Sequence, residues 1–184
     1  MSVRRSSVPS LPDRAQALKI MEKAGCDPKV IQHCKAVAEF AAMITKKMEG
    51  QGVIIDGELV QAGALLHDLG RSKSHGIDHA IVGAGLAREL GLDPKIVMII
   101  ERHIGAGIPA GEAVKLGLPK KDYIPETIEE KIVTHADNMC NFKRHSVDVS
   151  IEKLEAKGQM SAAQRMRRLH KELSDIAGID LNDL

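Results

Sequence analysis

The chain has 184 residues, 43% hydrophobic, 28% charged and only 2% aromatic with no Trp, at a formal net charge of +1. That length suits one domain around one core, and so few aromatic residues favour close-packed helices over a sandwich or barrel. The near-neutral charge makes no case for a domain that binds nucleic acid or membrane by bulk electrostatics.

No apolar run approaches the roughly 18 residues of a spanning helix, and MSVRRSSVPSLPD lacks a hydrophobic signal core. The expectation is a cytoplasmic protein with neither a membrane nor a nucleic-acid partner. Cys26, Cys34 and Cys140 are scattered without a CxxC pair, so they read as buried or spare thiols.

Residues 1–12 are polar, carry two prolines and read as a flexible arm ahead of one helical domain over 13–184. Asp13 caps a short helix to Ala24, stopped by Gly25. Asp27-Pro28 is an N-cap and first-turn pair. It opens a long helix whose inward stripe is Val30, His33, Val37, Ala41, Ile44 and Met48. Asp56 opens ELVQAGALLHDL, apolar on nearly every side and therefore buried, ending at Gly70. After the loop RSKSHGID a helix runs from His79 to Leu90. Asp93-Pro94 starts the next, which reaches Gly105.

The stretch 105–125, with Gly105, Gly107 and Gly111, holds at most a helical turn and reads as a connector or a lid. A helix through ETIEEKIVTHADNMCNF and two charged amphipathic helices around 150–157 and 161–176, within a C-terminal section 148–178, complete the chain. The pattern predicts an all-α bundle of about seven to eight helices.

The eight histidines are informative by position. His67-Asp68 sits at the end of an apolar helix, where an ionised carboxylate costs several kcal/mol unless a cation or donors compensate it. His33 lies on an apolar stripe, His103 follows VMIIER, and Asp137 sits within IVTHADNM. Each alone reads more simply as a satisfied core group. Together they suggest one shared remedy, a divalent ion. Imidazole and carboxylate without thiolate suit Zn, Fe, Mn, Co or Ni in an open, catalytic type of site. His79 at the start of one helix and His103 at the end of the next come to the same end if those helices run antiparallel, each roughly 16 Å long.

The series His33, LLHDLG (His67-Asp68), DHAIVGA (His79), IERHIGAG (His103) and IVTHADN (Asp137) resembles the HD superfamily of metal-dependent phosphohydrolases, in its HDIG variant, over about residues 30–142. The resemblance implies that His33, His67, Asp68 and Asp137 hold a first metal. His79 and His103 would add a second, with Asp68 bridging the two ions. HDIG proteins often carry Lys after the motif, where this chain has Arg71. Arginine keeps the cation but cannot act as an acid.

Asp68 and Arg71 are thus the expected catalytic residues, with Arg71, Lys73 and Arg102 as candidate phosphate contacts; surface solvation is the alternative for Lys73 and Arg102. His135 lies roughly 200° round the helix from Asp137 and is assigned to the core or behind the ligands. His145 and His170 are expected in solvent, and His75 in a loop beside the site. Arg165, Arg167, Arg168 and Lys171 read as a solvated face.

The function expected is hydrolysis of a phosphomonoester or phosphoanhydride, of a nucleotide-like substrate, by hydroxide formed on two divalent ions. A one-metal 5′-nucleotidase and a metal- and nucleotide-binding sensor without turnover remain as alternatives. A homo-oligomer is compatible with everything above.

Overall fold

Asp13 caps α1 (Arg14–Ala24) in a reciprocal capping box with Gln16, and Gly25 closes the helix at φ 82°, in the left-handed region. The computed structural model describes residues 11–184, so the arm expected over 1–12 falls almost wholly outside the described residues. Asp27 accepts from the Lys29 amide at the start of α2 (Pro28–Glu49). Asp56 does the same for Leu59 at α3 (Gly57–Leu66), and Asp93 for Lys95 at α5 (Pro94–Arg102). Between them lies α4 (His79–Glu89). Then follow α6 (Ala110–Lys115), α7 (Ile128–Asn138) capped by Thr127, α8 (Val147–Ala156) and α9 (Met160–Ala177).

The fold is all-α, with two isolated β-bridges and no named strand among the described residues. Among the described residues nine α-helices form, more than the expected seven to eight, chiefly because α6 forms inside the irregular stretch 105–125. That stretch has an apolar nucleus of its own. Ile108, Ala113, Leu118 and Tyr123 bury one another, and Ile108 and Tyr123 exchange backbone hydrogen bonds of 3.0 and 2.8 Å.

α3 is the central element. It packs on α1, α2, α5 and α7 and buries Leu59, Val60, Ala62, Gly63, Ala64, Leu65 and Leu66. Met21, Ile44, Met48, Ile99, Ile100, Ile132 and Met139 close round it, none more than 1% exposed. Each such side chain contributes about 1.5–3 kcal/mol by leaving water. No helix among the described residues is long and apolar enough to cross a membrane.

α3 stops at Leu66, earlier than the pattern suggested, and the chain turns through His67 and Asp68 into a 3-10 turn at Leu69–Ser72. The turn settles against the first part of α4. Gly70 makes the approach feasible: a Cβ there would collide with the His79 carbonyl oxygen and stand 2.6 Å from the Gly83 amide nitrogen. Glycine is the only residue that fits.

Candidate metal centre

Four helices and one turn deliver six side chains to one place. α2 brings His33 and α7 brings Asp137; the turn after α3 presents His67 and Asp68, while α4 begins at His79 and α5 gives way to His103. His67, Asp68, His79 and His103 are all buried, at 0, 7, 4 and 2% exposure.

They form two linked groups. His33, His67 and Asp137 offer donor atoms within 4.8 Å of one another, and so do Asp68, His79 and His103. Asp68 stands between the groups with one oxygen towards each. Its Oδ2 lies 3.9 Å from His33 Nε2 and 3.8 Å from His67 Nε2, while its Oδ1 lies 3.1 Å from His79 Nε2 and 3.7 Å from His103 Nε2. Asp137 Oδ1 stands 2.9 Å from His33 Nε2 and 3.5 Å from His67 Nε2.

The opposite edges of the rings determine their tautomers. The Nδ1 atoms of His33, His67, His79 and His103 face the backbone carbonyls of Asn141, Ala64, Gly76 and Ile100 at 2.8, 2.8, 2.8 and 2.7 Å. A carbonyl only accepts, so each Nδ1 carries the proton, and in the neutral form that binds a metal each ring turns an Nε2 lone pair inward. This is how histidine ligands are usually oriented towards a metal.

Without a cation the arrangement is unfavourable. With both rings in the neutral form, His79 Nε2 and His103 Nε2 would face each other lone pair against lone pair at 3.1 Å, and His67 Nε2 is buried with no hydrogen-bond partner. Divalent ions of the kind that take nitrogen and oxygen ligands fit this donor set.

Burial alone would raise the pKa of Asp68, but the imidazoles of His67, His103 and His79 outweigh it and hold the carboxyl far below its usual range. The same contest, won by His67 and His33, depresses Asp137. Both stay ionised. Cys34 also comes within reach of His67 and Asp68, but burial pushes its thiol pKa up, which keeps it protonated.

The centre opens into a cleft of about 350 Å³, lined also by Arg71, Asn138, Phe142, His145, Ser150 and Lys153. Arg71 donates from Nε to Asp68 Oδ1 at 3.2 Å and from Nη1 to the His75 carbonyl at 3.0 Å. His75 therefore contributes its backbone at this contact.

Other candidates lie elsewhere. Lys73 is exposed and absent from the cleft lining. Arg102 departs from its expected role as a phosphate contact, because its guanidinium is held 3.0 Å from both Glu126 and Glu130. His135 is fully buried and directs Nε2 to His170 Nδ1 at 3.0 Å, and His170 in turn reaches Asp180 at 3.0 Å. His170 is thus a bridging residue. Arg165, read as part of a solvated face, grips Glu112 and the Gly107 carbonyl. His145 lines the cleft, contrary to its expected solvation. No local signal marked it, Phe142 or Lys153, because their nearness to the centre arises from how the 139–146 loop and α8 return across it.

A family model for the HD domain matches residues 30–141. The chain is 45% identical over its full length to a tRNA (cytidine(56)-2′-O)-methyltransferase of Thermoplasma volcanium, of which it covers 53%. An uncharacterized protein of Methanocaldococcus jannaschii is 51% identical over 76% of the chain and 83% of that relative. The chain thus spans about half the length of the methyltransferase it matches. Among solved structures, the HD domain of the L. monocytogenes phosphodiesterase PgpH in complex with cyclic-di-AMP superposes with a TM-score of 0.55 at 16% identity, covering 88% of this chain and 95% of that one. With the HD model extending over the segment that carries the six converging side chains, the chain belongs to the HD-domain superfamily of metal-dependent phosphohydrolases.

Proposed function

We propose that the protein hydrolyses a phosphate ester or anhydride of a nucleotide, using two divalent ions held by His33, His67, Asp68 and Asp137 and by Asp68, His79 and His103. One observation carries the reading: four imidazoles with proton-bearing Nδ1 atoms turned to carbonyls converge their Nε2 lone pairs on Asp68 and Asp137. A purely structural cluster would have found donors for those nitrogens. Two bound cations would supply Lewis acidity to the phosphate and acidify a water.

The chain's own residues orient and neutralise. Arg71 steadies Asp68 through its Nε donor and places a cation at the cleft, where it can meet phosphoryl oxygens as charge develops. Lys153 adds a second cation from α8. Ser150 donates to the Asn138 carbonyl at 2.6 Å and Asn138 donates to the Gly105 carbonyl, tying α7, α8 and the 105–125 stretch together round the opening. A nucleotide is the preferred substrate class because the methyltransferase relative acts on tRNA and the structural neighbour was solved with cyclic-di-AMP.

The test is elemental analysis of protein loaded with Mn or Fe, followed by a panel of nucleoside mono-, di- and polyphosphates. The parent should hold about two ions per chain and release phosphate or a nucleotide product. The His79→Ala, His103→Ala double variant should hold about one ion, stay folded and lose most turnover, and Asp68→Ala should lose metal and activity together. One ion in the saturated parent, with full turnover in the double variant, would replace this reading by the one-metal nucleotidase. Two ions with no turnover of any substrate would leave the sensor.

A further inference from the structure

The chain has three aromatic side chains, two Phe and one Tyr. Phe40 and Tyr123 are buried, at 3 and 5% exposure, whereas Phe142 is 57% exposed and lines the metal cleft. A domain so poor in aromatic residues leaves one of them half in water beside its candidate site.

The loop that carries Phe142 is firmly placed. Cys140 and Arg144 form an isolated antiparallel bridge, and the His145 amide donates to the Met139 carbonyl at 2.8 Å. Phe142 therefore sits at the tip of a tight reversal. Arg144 at its base lies over the Phe40 ring of α2, 5.5 Å from the centroid. On the other side of the tip, the carbonyl of Asn141 accepts from Nδ1 of His33. The residue next to Phe142 is thus hydrogen-bonded to a side chain of the metal group. The ring stands on a short, braced arm whose base and tip are both fixed to α2, while Arg71 and Lys153 line the same cleft as cations.

We infer that Phe142 is a stacking platform for the base of the substrate, with the attached phosphate directed to Arg71, Lys153 and the His/Asp centre. An aromatic face accepts any base by stacking, which is sequence-tolerant. The cleft would then select for a base joined to a phosphate and discriminate little among bases. This inference rests on the proposed site and deepens it, by naming the residue that separates nucleotides from other phosphate esters.

The absence of Trp provides a direct readout. In Phe142→Trp the introduced indole is the only tryptophan, and a base stacked on it should quench its fluorescence. Zn-loaded protein is mixed in stopped flow, before turnover, with AMP, with ribose 5-phosphate or with a short 5′-phosphorylated oligoadenylate. AMP should quench, and ribose 5-phosphate, which lacks a base, should not. A lower half-saturating concentration for the oligoadenylate than for AMP would identify a strand end as the source of the base, and the reverse order a free nucleotide.

In steady state, Phe142→Ala should raise KM for AMP roughly tenfold, leave kcat within about twofold and leave ribose 5-phosphate hydrolysis unchanged; Phe142→Trp should restore KM. Equal quenching by AMP and ribose 5-phosphate, or none by either nucleotide, overturns the platform. Because quenching precedes turnover, that result is independent of hydrolysis: a protein that cleaves nucleotides without quenching keeps its proposed function and loses this inference.

Discussion

Gly70→Ala should loosen the second metal group without disturbing the first. The new Cβ would stand 2.6 Å from the Gly83 amide nitrogen and collide with the His79 carbonyl oxygen, both backbone atoms of α4. Restoring an ordinary contact of about 3.4 Å at the Gly83 nitrogen alone requires α4 to retreat by roughly 0.8 Å, and the closer clash at the His79 carbonyl oxygen requires more, against a metal–ligand tolerance of about 0.2 Å. His79 begins α4 and moves with it. His33 and Asp137 ride on α2 and α7, and the three atoms nearest a Cβ at Gly70 all belong to α4.

Overpacking of this kind costs about 1–3 kcal/mol. For a chain of this size that lowers Tm by roughly 2–12 °C. A displaced ligand should weaken the second ion about 10- to 100-fold, the range seen when a ligand's supporting contacts are lost. Chelator competition resolves the two sites, and calorimetry of metal-free protein separates strain from metal loss. Two ions bound with parental affinity and an unchanged Tm in Gly70→Ala would refute the argument that this close packing positions His79.

Arg102 and Lys153 should behave oppositely. Arg102→Ala takes the cation away from Glu130, which is 4% exposed, and should destabilise by about 3–5 kcal/mol with KM nearly unchanged. Lys153→Ala, on the exposed side of α8, should raise KM several-fold with Tm within about 2 °C; the converse pattern would return Arg102 to the substrate. Cys26, Cys34 and Cys140 are all buried and should resist a thiol reagent at pH 8 until the chain unfolds. Burial pushes the Cys26 and Cys140 pKa values up to about 11 from 9.0. The folded state therefore keeps protons that the unfolded chain releases, and stability should fall as pH rises from 9 towards 11, by up to about 1.4 kcal/mol per thiol per pH unit. Cys26→Ala should flatten that slope, and an identical slope would mean that another group titrates there.

Helix starts were legible in the sequence because they depend on neighbours only: Asp13, Asp27, Asp56 and Asp93 each cap the helix expected from them. The six candidate ligands were legible for a related reason. A buried imidazole or carboxylate stands out against the apolar run that buries it, as with His67 and Asp68 after GALL. The resemblance then supplied the grouping that spacing alone left open. The matched ends of α4 and α5 followed from their lengths, and His79 and His103 do meet.

Contacts between distant segments were not legible. A cation beside a motif looks the same whether it faces substrate or a carboxylate 28 residues away, and only the packing of α5 on α7 assigns Arg102 to Glu130. His145 and Phe142 carry no local mark of their place, because the loop that holds them is drawn over the centre by Asn141 and His33, 108 residues apart. Local sequence sets caps and periodicity through interactions within a turn or two. Which polar groups share a cavity is decided by long-range burial, where each buried donor must find an acceptor wherever the chain provides one.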